Sequence, residues 1–425
     1  MKWKGPLLAL LGAAAVAGIA IAVSLRNGGS GAGTTGAGPT QAIEKGGTTV
    51  ADESQTRRGR RLVVGSLDDS IRQGDARLAA DAARTTREAG FDAVLVSSKW
   101  TPGATTLAPG ERRALANAVR AATSNHMQVF VFVWHGLSGA TPRTAAAQGQ
   151  FAAYTASLAR AFPQVRHIVV GNEPNLNTFW LPQFGPGGSD AAAKGYFNLL
   201  ARTYDALQAV SPRPQVIGGG LAPRGSDRPG LKRDTHSPTR FIEDLGALYR
   251  ASGRTRPIMD ALALHPYMRT SALSPSDTHT ASTTITIGDY GKLVKLLGAA
   301  FRGAQHGADL PIYYTEFGVQ TEVPQDHQRL YTDLKSPAAL DAVDTATQAT
   351  YYREALKLSV CQPTVRGLFI LHTYDEPDLA GWQSGLYYAD KKPKASLDDF
   401  RDAAKAARDG TLTRCAGDTF VRTDE

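Results

Sequence analysis

The run Ile168-Val169-Val170-Gly171-Asn172-Glu173-Pro174-Asn175 sets a carboxylate beside an amide at the end of an apolar stretch. A second carboxylate, Glu316, follows another apolar stretch in Tyr313-Tyr314-Thr315-Glu316-Phe317-Gly318. Ending a buried strand on a charge is costly unless the strand delivers it to a cleft. Two carboxylates that meet there can split an acetal. One protonates the leaving oxygen, and the other attacks the carbon or activates water. Other side chains fit the same chemistry. Asn172, His135 and His265 offer hydrogen bonds to hydroxyls, and Tyr267 can position Glu316. Trp134 and Trp382 offer apolar faces to ring C–H groups.

The elements that must position these residues alternate regularly. Short apolar runs occur at 62–64, 93–96, 129–133, 168–170, 215–217, 261–264, 311–314 and 367–371. Such runs suit a parallel sheet buried on both faces. Helical patterns fall between and after them, over 111–126, 151–162, 191–210, 239–252, 288–304, 342–360 and 394–410, the last stopped by Gly410. Eight strands, seven of them followed by a helical pattern, predict a (β/α)8 TIM barrel. The rival doubly wound sheet needs a glycine-rich turn after its first strand, and Gly65-Ser66-Leu67-Asp68-Asp69 does not supply one. In a barrel the functional residues stand at the C-terminal strand ends. Glu173, Glu316, His135 and His265 all fall there, with Trp100, Trp134, Trp180 and Trp382 on the same rim.

The chain has 425 residues, 42% hydrophobic and 20% charged, which allows a large core in one catalytic domain at 59–425. Its net charge of +8 is scattered, without a basic stripe carrying aromatics, which argues against nucleic acid as a partner. Lys2 and Lys4 precede an apolar run at 6–25, so residues 1–26 read as a signal peptide or an uncleaved signal anchor. A Gly/Ser/Thr-rich stretch, 27–58, reads as a flexible spacer. The domain is then extracytoplasmic, either secreted or held at a membrane through 6–25. In that setting the only two cysteines, Cys361 and Cys415, invite a disulfide.

These residues together resemble the clan A glycoside hydrolases, the superfamily that includes families 5 and 39. The resemblance rests on Asn172-Glu173 after strand four, Glu316 after strand seven, His265-Pro266-Tyr267 on strand six, His135 after strand three and Trp382 after strand eight. It covers nearly all of 61–410. Where family 5 often has an arginine near strand two, this chain has Lys99. The resemblance implies a retaining glycosidase acting on an extracellular glycan or oligosaccharide, with Glu173 as acid/base and Glu316 as nucleophile. No cofactor is expected, no metal-ligand spacing converges at the rim, so no metal is expected either, and the catalytic domain is expected to be monomeric. Two other readings compete. One is a barrel that binds carbohydrate at the cell surface without turnover. The other is a metal-dependent hydrolase using His135, His265 and His372. The second usually needs a histidine cluster at strand one, which this chain lacks.

Overall fold

The structure is a computed structural model that describes residues 56–231, 233–302, 307–333, 341–416 and 419–420. The segment read as a signal peptide or anchor, and nearly all of the stretch read as a spacer, lie outside the described residues. Among the described residues no helix is long and apolar enough to cross a membrane.

Eight parallel strands close into a barrel. In chain order they are Val63–Leu67, Ala93–Lys99, Gln128–Trp134, His167–Val170, Gln215–Leu221, Ala261–Leu264, Ile312–Phe317 and Val365–Leu371. The first strand pairs with the eighth, from Val63 opposite Gly367 to Leu67 opposite Leu371, which shuts the ring. The interior is packed. Phe130 sits 4.9 Å from Phe369 and 5.5 Å from Tyr313 between ring centroids, and it stacks on His167 at 4.0 Å. The barrel is therefore a solid pedestal whose chemistry is confined to its rim.

Seven of the surrounding helices match the expected ones in place, with shifted ends. They are Pro109–Ser124, Ala145–Ala161, Ala191–Gln208, Pro238–Ala251, Tyr290–Ala300, Thr345–Cys361 and Ser396–Asp409. The second of these starts well before the expected residue 151, because Thr144 caps it through the Ala147 N–H. Its first turns, Ala145-Ala146-Ala147-Gln148, carry no large apolar residue to mark a helical period. An eighth helix, Ala76–Glu88, follows the first strand. Its mostly small and charged residues hid it from the periodicity reading, although Asp75 caps it at the Arg77 N–H. The last helix ends as expected on Gly410, whose φ of 69° is the left-handed stop that glycine adopts most easily.

The fifth strand runs beyond the apolar stretch into Gly218-Gly219-Gly220-Leu221. Glycines normally weaken a strand. Here Gly219 has φ 100°, and a Cβ on it would lie 2.6 Å from the Ala263 carbonyl oxygen. The pairing register shifts between Gly219 and Leu221. This irregularity aims the loop after strand five towards Glu173.

A three-stranded antiparallel sheet was not expected. Thr56–Arg58, at the end of the segment read as spacer, pairs with Arg414–Ala416, which pairs with Thr419–Phe420. Cys415 lies in this sheet and is bonded to Cys361 at the end of the seventh-strand helix, with Cα atoms 5.5 Å apart. The bridge closes a separation of 54 residues. On the chain-entropy account such a loop contributes about 4 kcal/mol. Reduction, or the paired change Cys361→Ser with Cys415→Ser, is expected to lower the thermal midpoint by several degrees. Melting curves that superimpose with and without reductant would contradict this.

Candidate functional site

The fourth strand ends at Val170, and the next three residues turn sharply. Gly171 has φ 84°, and a Cβ there would press on the Tyr196 ring at 3.1 Å. Glu173 itself has φ 38°, which is unusual for a residue with a side chain. That conformation is held from several sides. The Glu173 N–H donates to the Gly220 carbonyl at 2.8 Å. The Tyr196 hydroxyl donates to the Val170 carbonyl at 2.6 Å and accepts from the Gly219 N–H at 2.7 Å. Buried Asn175 clamps the loop to its neighbours. Its amide donates to the Ala222 and His236 carbonyls at 3.1 and 2.9 Å, and its oxygen accepts from the Ala222 N–H at 3.0 Å. The last residue of the opening motif thus holds the strand-four and strand-five loops together.

Across the barrel mouth, Glu316 leaves the seventh strand and meets Glu173 through His265. His265 Nδ1 lies 3.0 Å from Glu173 Oε1 and 3.3 Å from Glu316 Oε2. The Tyr267 hydroxyl donates to Glu316 Oε2 at 3.3 Å. One oxygen of each glutamate and a nitrogen of His265 all lie within 4.8 Å of one another. Glu173 and His265 are buried, and Glu316 is partly open.

The electrostatics follow from this crowding. Burial pushes the Glu316 carboxyl above its ordinary range, and the charge of Glu173 adds to that, while His265, Tyr267 and His372 pull it back. Burial opposes a charged His265, but Glu316 and the hydrogen bond to Glu173 outweigh it and raise the imidazole overall. The two carboxylates thus favour the protonated form of the imidazole between them. Burial pushes Tyr267 well up, so the phenol remains a hydrogen-bond donor.

The rim beside Glu316 is built by the loops after strands seven and eight. Lys394 and Asp375 form a fully buried ion pair at 2.7 Å. The Tyr331 hydroxyl donates to Asp375 at 2.7 Å, and Lys394 also donates to Thr321 Oγ1 and to the Gln383 carbonyl. Burial pushes Asp375 up and Lys394 down, and each offsets the other. This polar knot carries Trp382, whose indole lies 4.9 Å from the Tyr267 ring. The Trp382 backbone N–H donates to Glu376 Oε2 at 3.2 Å, and Glu376 Oε1 lies 3.7 Å from His372 Nδ1.

Glu173, Glu316, His265, Tyr267 and Trp382 are therefore assembled at one place. Asn172, next to Glu173 in the chain, is half-buried. Trp134 is partly buried and packs on Phe132 and Phe179 at 5.6 and 6.2 Å. Other expectations need correction. His135 does not open to the cleft. It is 1% exposed, Nε2 is bonded to the Phe179 carbonyl at 2.6 Å, and Trp180 stands edge-on to its ring. Burial lowers its pKa to about 4, so it is a neutral packing residue. Trp100 and Trp180 are core residues rather than rim platforms, at 1% and 2% exposure. The expectation that no metal-ligand set converges on the rim also needs correction, since one donor atom each of Glu173, His265 and Glu316 lie within 4.8 Å of one another. Two contributors went unread. Asn175 lay inside the quoted motif, but its amide was not recognised as a clamp. Arg224, two residues beyond Ala222, donates to the Tyr267 carbonyl at 3.1 Å. A cation just past the fifth strand end was the signal for it.

No family model and no curated protein matches the chain. Solved structures do share its fold. A GH5_18 protein from Streptomyces cattleya in complex with GlcNAc matches with a TM-score of 0.51 at 16% identity, over 82% of this chain and 81% of that one. A monomeric beta-xylosidase from Caulobacter crescentus CB15 matches with 0.52 at 16% identity, over 82% and 69%. A glucosidase from Croceicoccus marinus matches with 0.55 at 14% identity, over 82% and 68%. The chain has the (β/α)8 barrel found in these glycosidases.

The knot around Lys394 gives a direct test of how the rim is held. Lys394→Ala strands a buried carboxylate, which costs about 3–5 kcal/mol when one partner of such a pair is removed. Denaturant unfolding is expected to show a loss of that size. A loss below about 1 kcal/mol would mean that the pair does not hold these loops.

Proposed function

We propose that the protein is a retaining glycoside hydrolase that acts on a glycan outside the cytoplasm. The observation that carries this reading is that one oxygen of each carboxylate lies within 4.8 Å of the other. Retaining enzymes set their carboxyl groups about 5 Å apart, and inverting enzymes leave a wider gap for water, about 6.5–9.5 Å. Glu316 is the nucleophile. It is the more open of the two, and Tyr267 donates to its carboxylate as charge shifts away to the sugar. Glu173 protonates the leaving oxygen and then, as a base, draws the proton from the water that releases the sugar. His265 touches both carboxylates and helps the pair to share one proton. Asn172 bonds a hydroxyl next to the reacting carbon, and Trp382 stacks on the sugar. The export reading of residues 1–26 supports a substrate outside the cytoplasm.

Glu316→Ala is expected to abolish turnover. Glu173→Ala is expected to keep the first step on glycosides with activated leaving groups, with azide rescuing the second. Proton NMR of the first-formed product should show retained configuration, and an inverted product would overturn the assignment. The pH profile offers a separate check. Glu316 must be ionised to attack, and its pKa is already raised. Removing the His265 charge in His265→Gln takes away the largest influence that lowers it, so the acid limb of kcat/KM should move to higher pH. An unmoved or lowered acid limb would count against the role given to His265.

The convergence of Glu173, His265 and Glu316 favours one further reading, in which the three hold a divalent ion and the barrel is a metal-dependent hydrolase. Chelation separates the two. The glycosidase reading expects full activity in chelator, and activity lost to chelator and restored by a divalent ion supports the metal reading.

A further inference from the structure

The loops after strands five and six bring arginines close to the glutamate pair. The loop after strand five reads Leu221-Ala222-Pro223-Arg224-Gly225-Ser226-Asp227-Arg228-Pro229-Gly230-Leu231-Lys232-Arg233-Asp234 and includes Arg224 and two carboxylates, Asp227 and Asp234. One of those carboxylates, Asp227, is spent on the Ser237 N–H at 2.6 Å. Arg224 is fixed on both sides. Two residues before it, Ala222 is clamped by Asn175, and its own guanidinium donates to the Tyr267 carbonyl. Arg269 stands two residues past Tyr267 and is exposed. Neither arginine forms an ion pair with any described residue, and the remaining Arg224 nitrogens have no hydrogen-bond partner there. By contrast, the acids of the opposite rim are occupied, Asp375 by Lys394 and Glu376 by the Trp382 N–H and His372.

We propose that Arg224 and Arg269 form a cationic subsite beside Glu173, which takes an anionic substituent of the glycan, either a uronate carboxylate or a sulfate ester. This rests on the glycosidase reading and names its substrate class. The physical case is one of charge balance. Burial and the neighbouring charge of Arg269 disfavour the Arg224 guanidinium more than Glu173 favours it. An arriving anion relieves that imbalance. A guanidinium with free N–H groups in a fixed fork suits the planar oxygens of a carboxylate or the oxygens of a sulfate. A group that served only to neutralise Glu173 would sit in contact with it, and no ion pair joins the two among the described residues. Arg224 donates to the carbonyl of Tyr267, the residue whose hydroxyl bonds Glu316, which ties the subsite to the glutamate pair.

The test compares matched neutral and acidic glycans on the full chain. The neutral arm is a mixed panel of β-glucan, xylan and mannan oligosaccharides. One acidic arm carries uronates, and the other carries sulfate esters on otherwise neutral sugars. Reducing-end release by the native protein and calorimetric binding to Glu316→Gln are both measured. The proposal expects an acidic arm to be favoured by about tenfold or more, the size of a charge-assisted hydrogen bond. Which acidic arm is favoured identifies the anion. The acidic-to-neutral ratio should fall about tenfold in Arg269→Gln, an exposed site where folding is not at risk, and also in Arg224→Gln. Acidic glycans that bind but are not cleaved would sustain the subsite and overturn the glycosidase reading. Neutral glycans cleaved as well as acidic ones, or ratios unmoved in both variants, would overturn the subsite and leave the glycosidase reading standing. Failure to bind or cleave any arm would overturn both.

Discussion

Two carboxylates buried at the mouth of a barrel repel each other, and the structure answers with one imidazole between them. His265 touches Glu173 at 3.0 Å and Glu316 at 3.3 Å from the same nitrogen. Without a proton or cation there, two desolvated negative charges within 4.8 Å would destabilise the fold and the site together. Much else is arranged around this contact. The sixth strand is short, Ala261–Leu264, so that His265 leaves it at the level of the two acids. Glu173 accepts an unfavourable φ because the Gly220 carbonyl and the Asn175 clamp leave its backbone no alternative. Strain at one residue is sustained by hydrogen bonds drawn from the neighbouring strand.

The same economy governs the rim. A packed barrel offers a flat, rigid floor, so shape and charge must come from loops. Those after strands seven and eight are long, and loops of this length hold one conformation only when something inside them is expensive to break. Here it is the buried pair of Lys394 and Asp375 with Tyr331, Thr321 and Gln383 around it. Trp382 inherits its position from that knot and reaches Tyr267, which in turn reaches Glu316. The loops after strands five and six instead expose cations. The mouth therefore has an aromatic side and a basic side, with the acids between them.

The fold and the centre of the site were legible because both depend on local sequence. Apolar runs of strand length recur between helical patterns, and a barrel makes their ends converge whatever the loops do. Glu173, Glu316, His265 and Tyr267 could be read as a group for that reason. What escaped depends on three-dimensional packing. The tryptophans looked alike in sequence, yet Trp100 turns inward to bond the Ala104 carbonyl while Trp382 stays at the mouth. His135 follows Trp134 by one residue, and that single step takes it behind the strand ends to Phe179. The first helix was missed because its buried face is made of small residues, Ala79, Ala83 and Thr86, with no large apolar side chain to mark it. The terminal sheet was missed because its strands have two or three residues each and sit at opposite ends of the chain.

The central claim is that Glu316 forms a bond to the sugar. Incubation with a set of 2-deoxy-2-fluoro glycosides bearing a dinitrophenyl leaving group, followed by peptide mass spectrometry, tests it most directly. The fluorine slows both steps, and the good leaving group restores the first, so a covalent intermediate accumulates. The account predicts a mass gain of one fluorosugar on the peptide that contains Glu316, absent in Glu316→Ala. An adduct on Glu173 or elsewhere, or no adduct in protein that cleaves the parent glycoside, would contradict it.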